Sequence, residues 1–197
     1  MDKTVHLDTY VEQYSKLAEI IGTVNQRLIS DEPDELIEDN VNFFTKSFLV
    51  VMCAYLESYI KDALMVIVED INQKLDVIKV PHNLIKWTAN TSKDLKEDDN
   101  RVEHFKISLT REELDNYISG NPHRTKKTFN NFGISLDGNQ IFSSHFDTIM
   151  TIVNKRNRVV HHNDDASDIT NQDLNNYIEA LKSYIENLDR IICTHIS

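Results

Sequence analysis

Apolar residues recur every three or four positions through most of the chain, the spacing that lines one face of an α-helix. Over residues 6–28 the stripe is Tyr10, Tyr14, Leu17, Ile21, Val24 and Leu28, with Glu12, Gln13, Lys16 and Glu19 opposite. Pro33 in the acidic stretch that follows marks a turn or a helix start. Over 37–75 the apolar face widens to take in Phe44, Phe48, Val51, Tyr55 and Tyr59, continued by Ala54, Leu64 and Ile67. So broad a face predicts a central helix with neighbours on several sides. Glu57 and Lys61 are four apart on it and in position to pair.

Residues 78–108 are less regular. Pro81 opens a short helix carrying Leu84, Ile85 and Trp87, residues 91–100 read as an acid-rich surface loop, and 101–105 as another short helix. Thr110 with Glu113 is a capping box ahead of Leu114, Tyr117 and Ile118, stopped by Gly120-Asn121-Pro122. Residues 123–140 carry the weakest helical pattern, and either a small hairpin or a plain loop fits their turn-forming Asn, Asp and Gly. Ser144 with Asp147 is expected to cap a helix whose apolar side holds Phe146, Ile149, Val153 and Val160 and which ends near 162–165. Thr170 with Asp173 caps the last, whose seam is Leu174, Tyr177, Leu181, Tyr184, Leu188 and Ile192. The expected fold is all-α: an up-and-down bundle of long antiparallel helices forming one domain over 1–197, with an irregular inserted segment over about 78–140.

Composition agrees with a folded helical chain. Four Gly and three Pro in 197 residues leave long stretches without a helix breaker. The net charge of −11 disfavours nonspecific contact with nucleic acid, but it is uneven, −9 over the first 100 residues and −2 over the rest. Residues 121–163 are the basic exception, where Arg124, Lys126, Lys127, Lys155, Arg156 and Arg158 outnumber Asp137 and Asp147. Two cysteines, Cys53 and Cys193, make no disulfide framework. No long apolar run follows Met1 or spans a bilayer, so the expected location is cytoplasmic. No Gly-rich phosphate loop appears, and the scattered histidines lack metal-ligand spacing, so no cofactor and no metal are expected.

The candidate chemistry lies in Val153-Asn154-Lys155-Arg156-Asn157-Arg158-Val159-Val160-His161-His162. Phe146, Ile149 and Val153 predict the next buried positions near 156, 157 and 160, and two of these are Arg156 and Asn157. Such side chains on a core stripe need a partner, a cleft or an interface. Asn157 and His161 share a face one turn apart, whereas Arg156 sits about 140° around the helix from His161. A second copy related by a two-fold axis would supply the missing half of a site. Arg, Asn and His without carboxylates suit phosphodiester transfer on RNA. Histidine moves a proton to or from the 2′-hydroxyl or the leaving oxygen, arginine forks onto the phosphate, and Asn157 orients His161 or donates to phosphate. The RNA supplies its own nucleophile, so the products would be a 2′,3′-cyclic phosphate and a 5′-hydroxyl.

The run from Arg156 to His161 resembles the Arg, four to six residues, His motif of the HEPN superfamily in its Arg-Asn-x-x-x-His form. Ala54-Tyr55-Leu56-Glu57-Ser58-Tyr59-Ile60-Lys61 resembles the earlier long-helix pattern of the HEPN group of the RiboL-PSP type. The resemblance implies a helical, dimeric fold and a metal-independent endoribonuclease, a toxin or antiviral defence effector with an antitoxin or sensor protein as partner. It maps Arg156 and His161 to the catalytic pair and Asn157 to the polar residue that follows the arginine. The tyrosine that some members carry two residues beyond the histidine is Asn163 here.

Plainer readings stand beside these. Arg156 and Asn157 can serve a structural network between helices, with Glu57 as the partner, and His161 can be a solvated helix-end residue favoured by the dipole. Arg124, Lys126 and Lys127 are RNA contacts or an ordinary solvated loop, and Lys155, Arg158 and His162 flank the motif as further RNA contacts. The alternative function is a non-catalytic, HEPN-like dimeric binding or regulatory module.

Overall fold

The structure is a computed structural model and describes residues 2–89 and 103–196. Seven α-helices follow one another among these residues: α1 Leu7–Leu28, α2 Glu35–Glu38, α3 Val41–Ile78, α4 His82–Ala89, α5 Pro122–Asn131, α6 Gln140–His162 and α7 Asn171–Ile196, with a 3-10 turn at Glu113–Asn116. The four long helices run up and down. Tyr14 donates to the Met52 carbonyl at 2.8 Å and Tyr10 bonds Asp62, so numbering falls along α1 as it rises along α3. Asn42 accepts from the Ala166 amide at 3.0 Å and Lys46 donates to the Asn163 carbonyl at 3.3 Å, which sets α6 antiparallel to α3. The α7 helix packs against α1, α3 and α6.

The α3 helix is central for the reason its sequence announced. Thr45, Phe48, Leu49, Met52, Cys53, Leu56, Tyr59 and Ile60 are buried on a face wide enough for three neighbours. Each fully buried Leu, Ile or Phe contributes roughly 1.5–3 kcal/mol over leaving it in water. Leu114, Ile118, Phe129, Ile134 and Leu136 join the same core, so the segment between α4 and α6 shares it. Two of the three expected caps form: the Thr110 amide donates to Glu113 at 2.8 Å and the Thr170 amide to Asp173 at 2.9 Å.

Among the described residues one charge lies inside. Asp189 of α7 is 1 % exposed and accepts from the Thr4 amide at 3.0 Å, the Thr4 hydroxyl at 2.5 Å and the Tyr59 hydroxyl at 3.0 Å, with Cys193 Sγ at 3.7 Å. A buried carboxylate needs this many donors to stay in place. They come from the segment before α1, from α3 and from α7 itself.

The structure corrects the sequence reading in four places. Residues 123–140 are neither hairpin nor plain loop, because α5 occupies the first half. The Asn121 side chain accepts from the His123 amide at 2.9 Å and Pro122 holds the first helical position. The helix was hidden because its inner face is Thr125, Thr128 and Phe129, not a run of large apolar residues. The cap of α6 is Asn139, which accepts from the Phe142 amide at 2.8 Å, while Ser144 bonds within the helix to the Ile141 carbonyl. Val160, expected on the apolar side of α6, is 51 % exposed. Residues 103–105 run extended, the Phe105 amide donating to the Val80 carbonyl at 2.7 Å, and no helix forms there. Residues 101 and 102, and the loop expected at 91–100, lie outside the described residues. Among the described residues no helix is long and apolar enough to cross a membrane.

Candidate functional site

The last two turns of α6 carry the motif. Val153 closes the core at 1 % exposure, Arg156 and Asn157 are half-buried, and Val160, His161 and His162 stand in solvent. The helix ends at Asn163, whose backbone turns left-handed at φ 52° and whose side-chain oxygen takes Lys46 of α3 at 3.2 Å. Since 46 meets 163 and 57 meets 156, Val50 and Ala54 lie level with Val160 and Asn157. Phe43, Val50, Ala54 and Val160 are all exposed, so an apolar strip borders the motif along α3 and α6.

Arg156 is held on two sides. One terminal nitrogen donates to Asn157 Oδ1 at 3.0 Å and the other forms an ion pair with Glu57 of α3. Both side chains of the ion pair are about one-fifth exposed, at 18 and 21 %. A guanidinium has five N–H donors, so these contacts leave others for a ligand. Burial pushes the Glu57 carboxyl above the usual carboxylate range, against the opposing pull of Arg156 and Lys61. Cys53 lies within reach of the same charges; its burial lifts the thiol to about 12, with Arg156 pulling the other way.

Lys61 pairs with Asp115 of the 3-10 turn, at 2.5 Å, and not with Glu57. Nearby, Gly120 adopts φ +66° where a Cβ would sit 3.3 Å from Leu56 and from Val153 and 3.7 Å from Glu57. Only glycine fits that approach without strain, because the backbone is left-handed and the space is taken. The stretch from Thr110 to Gly120 thus lies against the back of the Glu57 and Arg156 pair.

His161 has no side-chain partner among the described residues, and neither has His162. The surrounding cations are mostly engaged. Lys155 pairs with Asp168, Arg158 with Asp164 at 2.6 Å, Lys126 with Asp137, and Arg124 donates to the Asn116 carbonyl at 2.8 Å. Lys127 is exposed and has no partner among the described residues. The structure does not bring α5 onto the motif. His123 packs edge-on against Phe146 at 4.8 Å and Asn121 reaches Met150 at 3.5 Å, on the order of 10–15 Å down the α6 axis from Arg156. A cavity of about 280 Å³ beside the motif is lined by Lys155 and Arg158 but also by Asp164, Asp165 and Asp168, so its carboxylates outnumber its cations. Among the described residues no group of three or more His, Cys, Asp or Glu is placed to hold a metal ion.

Sequence reasoning missed Asp115 and Gly120. Asp115 sits in the expected short helix with no pattern to tie it to Lys61, and Gly120 read only as a stop. The geometry offers a half-buried, oriented arginine, a free imidazole five residues further on, and an amide, Asn157, one turn below the imidazole. The RiboL-PSP-HEPN family model matches residues 8–194, which span every long helix and the motif. No curated protein and no solved structure matches the chain.

Proposed function

The chain belongs to the RiboL-PSP-HEPN family, and from that premise we propose that it is a metal-independent endoribonuclease acting as a defence or toxin effector. The observation that carries the reading is the free, solvent-facing His161 five residues beyond an Arg156 that is oriented but not consumed by its partners. His161 takes the proton of the RNA 2′-hydroxyl, the 2′-oxygen attacks phosphorus, and the 5′-oxygen leaves with a proton. Arg156 uses its remaining N–H groups to hold the phosphate as charge builds on it. Asn157 steadies Arg156 by accepting from one of its terminal nitrogens.

The exposed strip of Phe43, Val50, Ala54 and Val160 supports a homodimer closed over this face, bringing the partner's His161 towards the first copy's arginine. Two imidazoles then serve as base and acid. Lys155, Arg158 and His162 flank the groove, and RNA would draw Lys155 and Arg158 from Asp168 and Asp164. Arg124, Lys126 and Lys127 would guide RNA further along α6. An antitoxin or sensor protein masking this face is the proposed regulator.

A second reading is favoured by one observation, the Arg156 to Glu57 ion pair amid already paired cations. It makes the motif a structural tie in a non-catalytic dimeric binding module. RNA cleavage in EDTA by wild type, Arg156→Ala and His161→Ala, each shown folded and of equal oligomeric state, decides between them. Cleavage by wild type alone, leaving cyclic-phosphate ends, is expected. Cleavage surviving His161→Ala overturns the nuclease assignment of this residue, and inactivity of all three favours the binding module.

A further inference from the structure

Arg156, Glu57, Lys61 and Asp115 form a chain of alternating charge that leaves the motif and ends in the inserted segment. Glu57 and Lys61 stand one turn apart on α3, close enough for the ammonium to act on the Glu57 carboxyl. The ammonium is nevertheless bound elsewhere, to Asp115 Oδ1 at 2.5 Å. A carboxylate that has lost its intrahelical lysine takes the next cation available, and Glu57 takes Arg156. Two features hold Asp115 over this face of α3. Arg111, four residues before it, pairs with Asp62, and Gly120, five residues after it, lies against Leu56, Val153 and Glu57.

We propose that Asp115 is a built-in brake on the motif arginine: by sequestering Lys61, it leaves Glu57 to hold Arg156 against α3, with only part of its fork open to phosphate. When the 3-10 turn Glu113–Asn116 moves off, Lys61 swings to Glu57 as its (i, i+4) partner, and the Arg156 fork is released towards the exposed face that carries His161. On Glu57 one ion pair replaces another; Asp115 passes to its captor, and Arg156 keeps Asn157 and gives its freed N–H groups to phosphate. Asp115 is the exposed member, with 59 % of its side chain in solvent, so it is the link a binding partner or a basic segment can capture. Asp115 and Lys61 are positioning residues and touch no reacting atom.

This rests on the nuclease reading for its effect on cleavage, but not for its effect on Arg156 itself. The test therefore has two readouts on the folded, full chain. The first is solvent exchange of the Arg156 Nε–H by NMR, which needs no activity. It is expected to speed up at least several-fold in Asp115→Asn, to return to wild-type protection in Asp115→Glu, and to stay protected in the double variant Asp115→Asn with Lys61→Met. The second is single-turnover RNA cleavage in EDTA, expected to rise several-fold in Asp115→Asn and to lose that gain in the double variant. A merely structural contact would give slower cleavage on its removal, not faster. Unchanged Arg156 exchange in Asp115→Asn overturns the brake whatever the activity. Altered exchange without any His161-dependent cleavage keeps the switch and overturns the nuclease reading. Cleavage that depends on His161 but falls in Asp115→Asn keeps the nuclease and overturns the brake.

Discussion

Asp189 and Glu57 both carry a carboxylate out of bulk water on a long helix, and their surroundings differ in kind. Asp189 is sealed, with Thr4, Tyr59 and Cys193 all directed at it from three parts of the chain. Glu57 is half open, faces one arginine, and lies beside a lysine that is turned away to Asp115. A saturated carboxylate has one arrangement and fixes structure. A carboxylate with fewer partners than neighbours has two arrangements close in energy, which is what a site that must change its contacts requires.

The largest effect that tests this contrast is expected at Asp189. Asp189→Asn keeps the shape but sets an NH₂ group among donors, which costs about 2–4 kcal/mol as buried groups lose their acceptor. Urea unfolding reads the loss, while cleavage per folded molecule should stay at the wild-type level. A variant as stable as wild type would mean that Asp189 is not the fixed point described.

Glu57→Gln should be milder in stability and stronger in function. Removing the charge frees Arg156 from its ion pair, so RNA affinity is expected to rise a few-fold. The folded Glu57 carboxyl titrates above its ordinary value, so between that value and the raised one the native state binds more protons than the unfolded chain. Its contribution therefore falls as pH rises through that window. Stability curves of wild type and Glu57→Gln should diverge there, with the wild type alone losing ground towards neutral pH. Parallel curves would place Glu57 in an ordinary exposed setting.

The smallest effect is expected at Lys127, the exposed cation of α5 that no partner holds among the described residues. Lys127→Gln should leave the melting temperature in place, weaken RNA binding by a few-fold and lower its salt slope by about one. An unchanged salt slope would remove α5 from the RNA path.

The long helices were legible because each buries a face wide enough to stamp its period on the sequence, as α7 does with Leu174, Leu181 and Leu188. The α5 helix was not, although Asn121-Pro122 is a helix start, because threonines do the inward work there. The basic stretch read as a surface of free charge, yet Asp164 and Asp168, just beyond its end, fold back onto Arg158 and Lys155. No local pattern announces Thr4 against Asp189, which lie 185 residues apart, or Asp115 against Lys61. Such contacts exist only once helices have packed.

The Thr4 contact has a consequence for synthesis. The segment before α1 and α3 are both made before α7, so Thr4 and Tyr59 meet their acceptor, Asp189, only once α7 has emerged. The α1, α3 and α6 faces that α7 covers are open until the same moment. Closure of the bundle core is therefore expected only after α7 has been made.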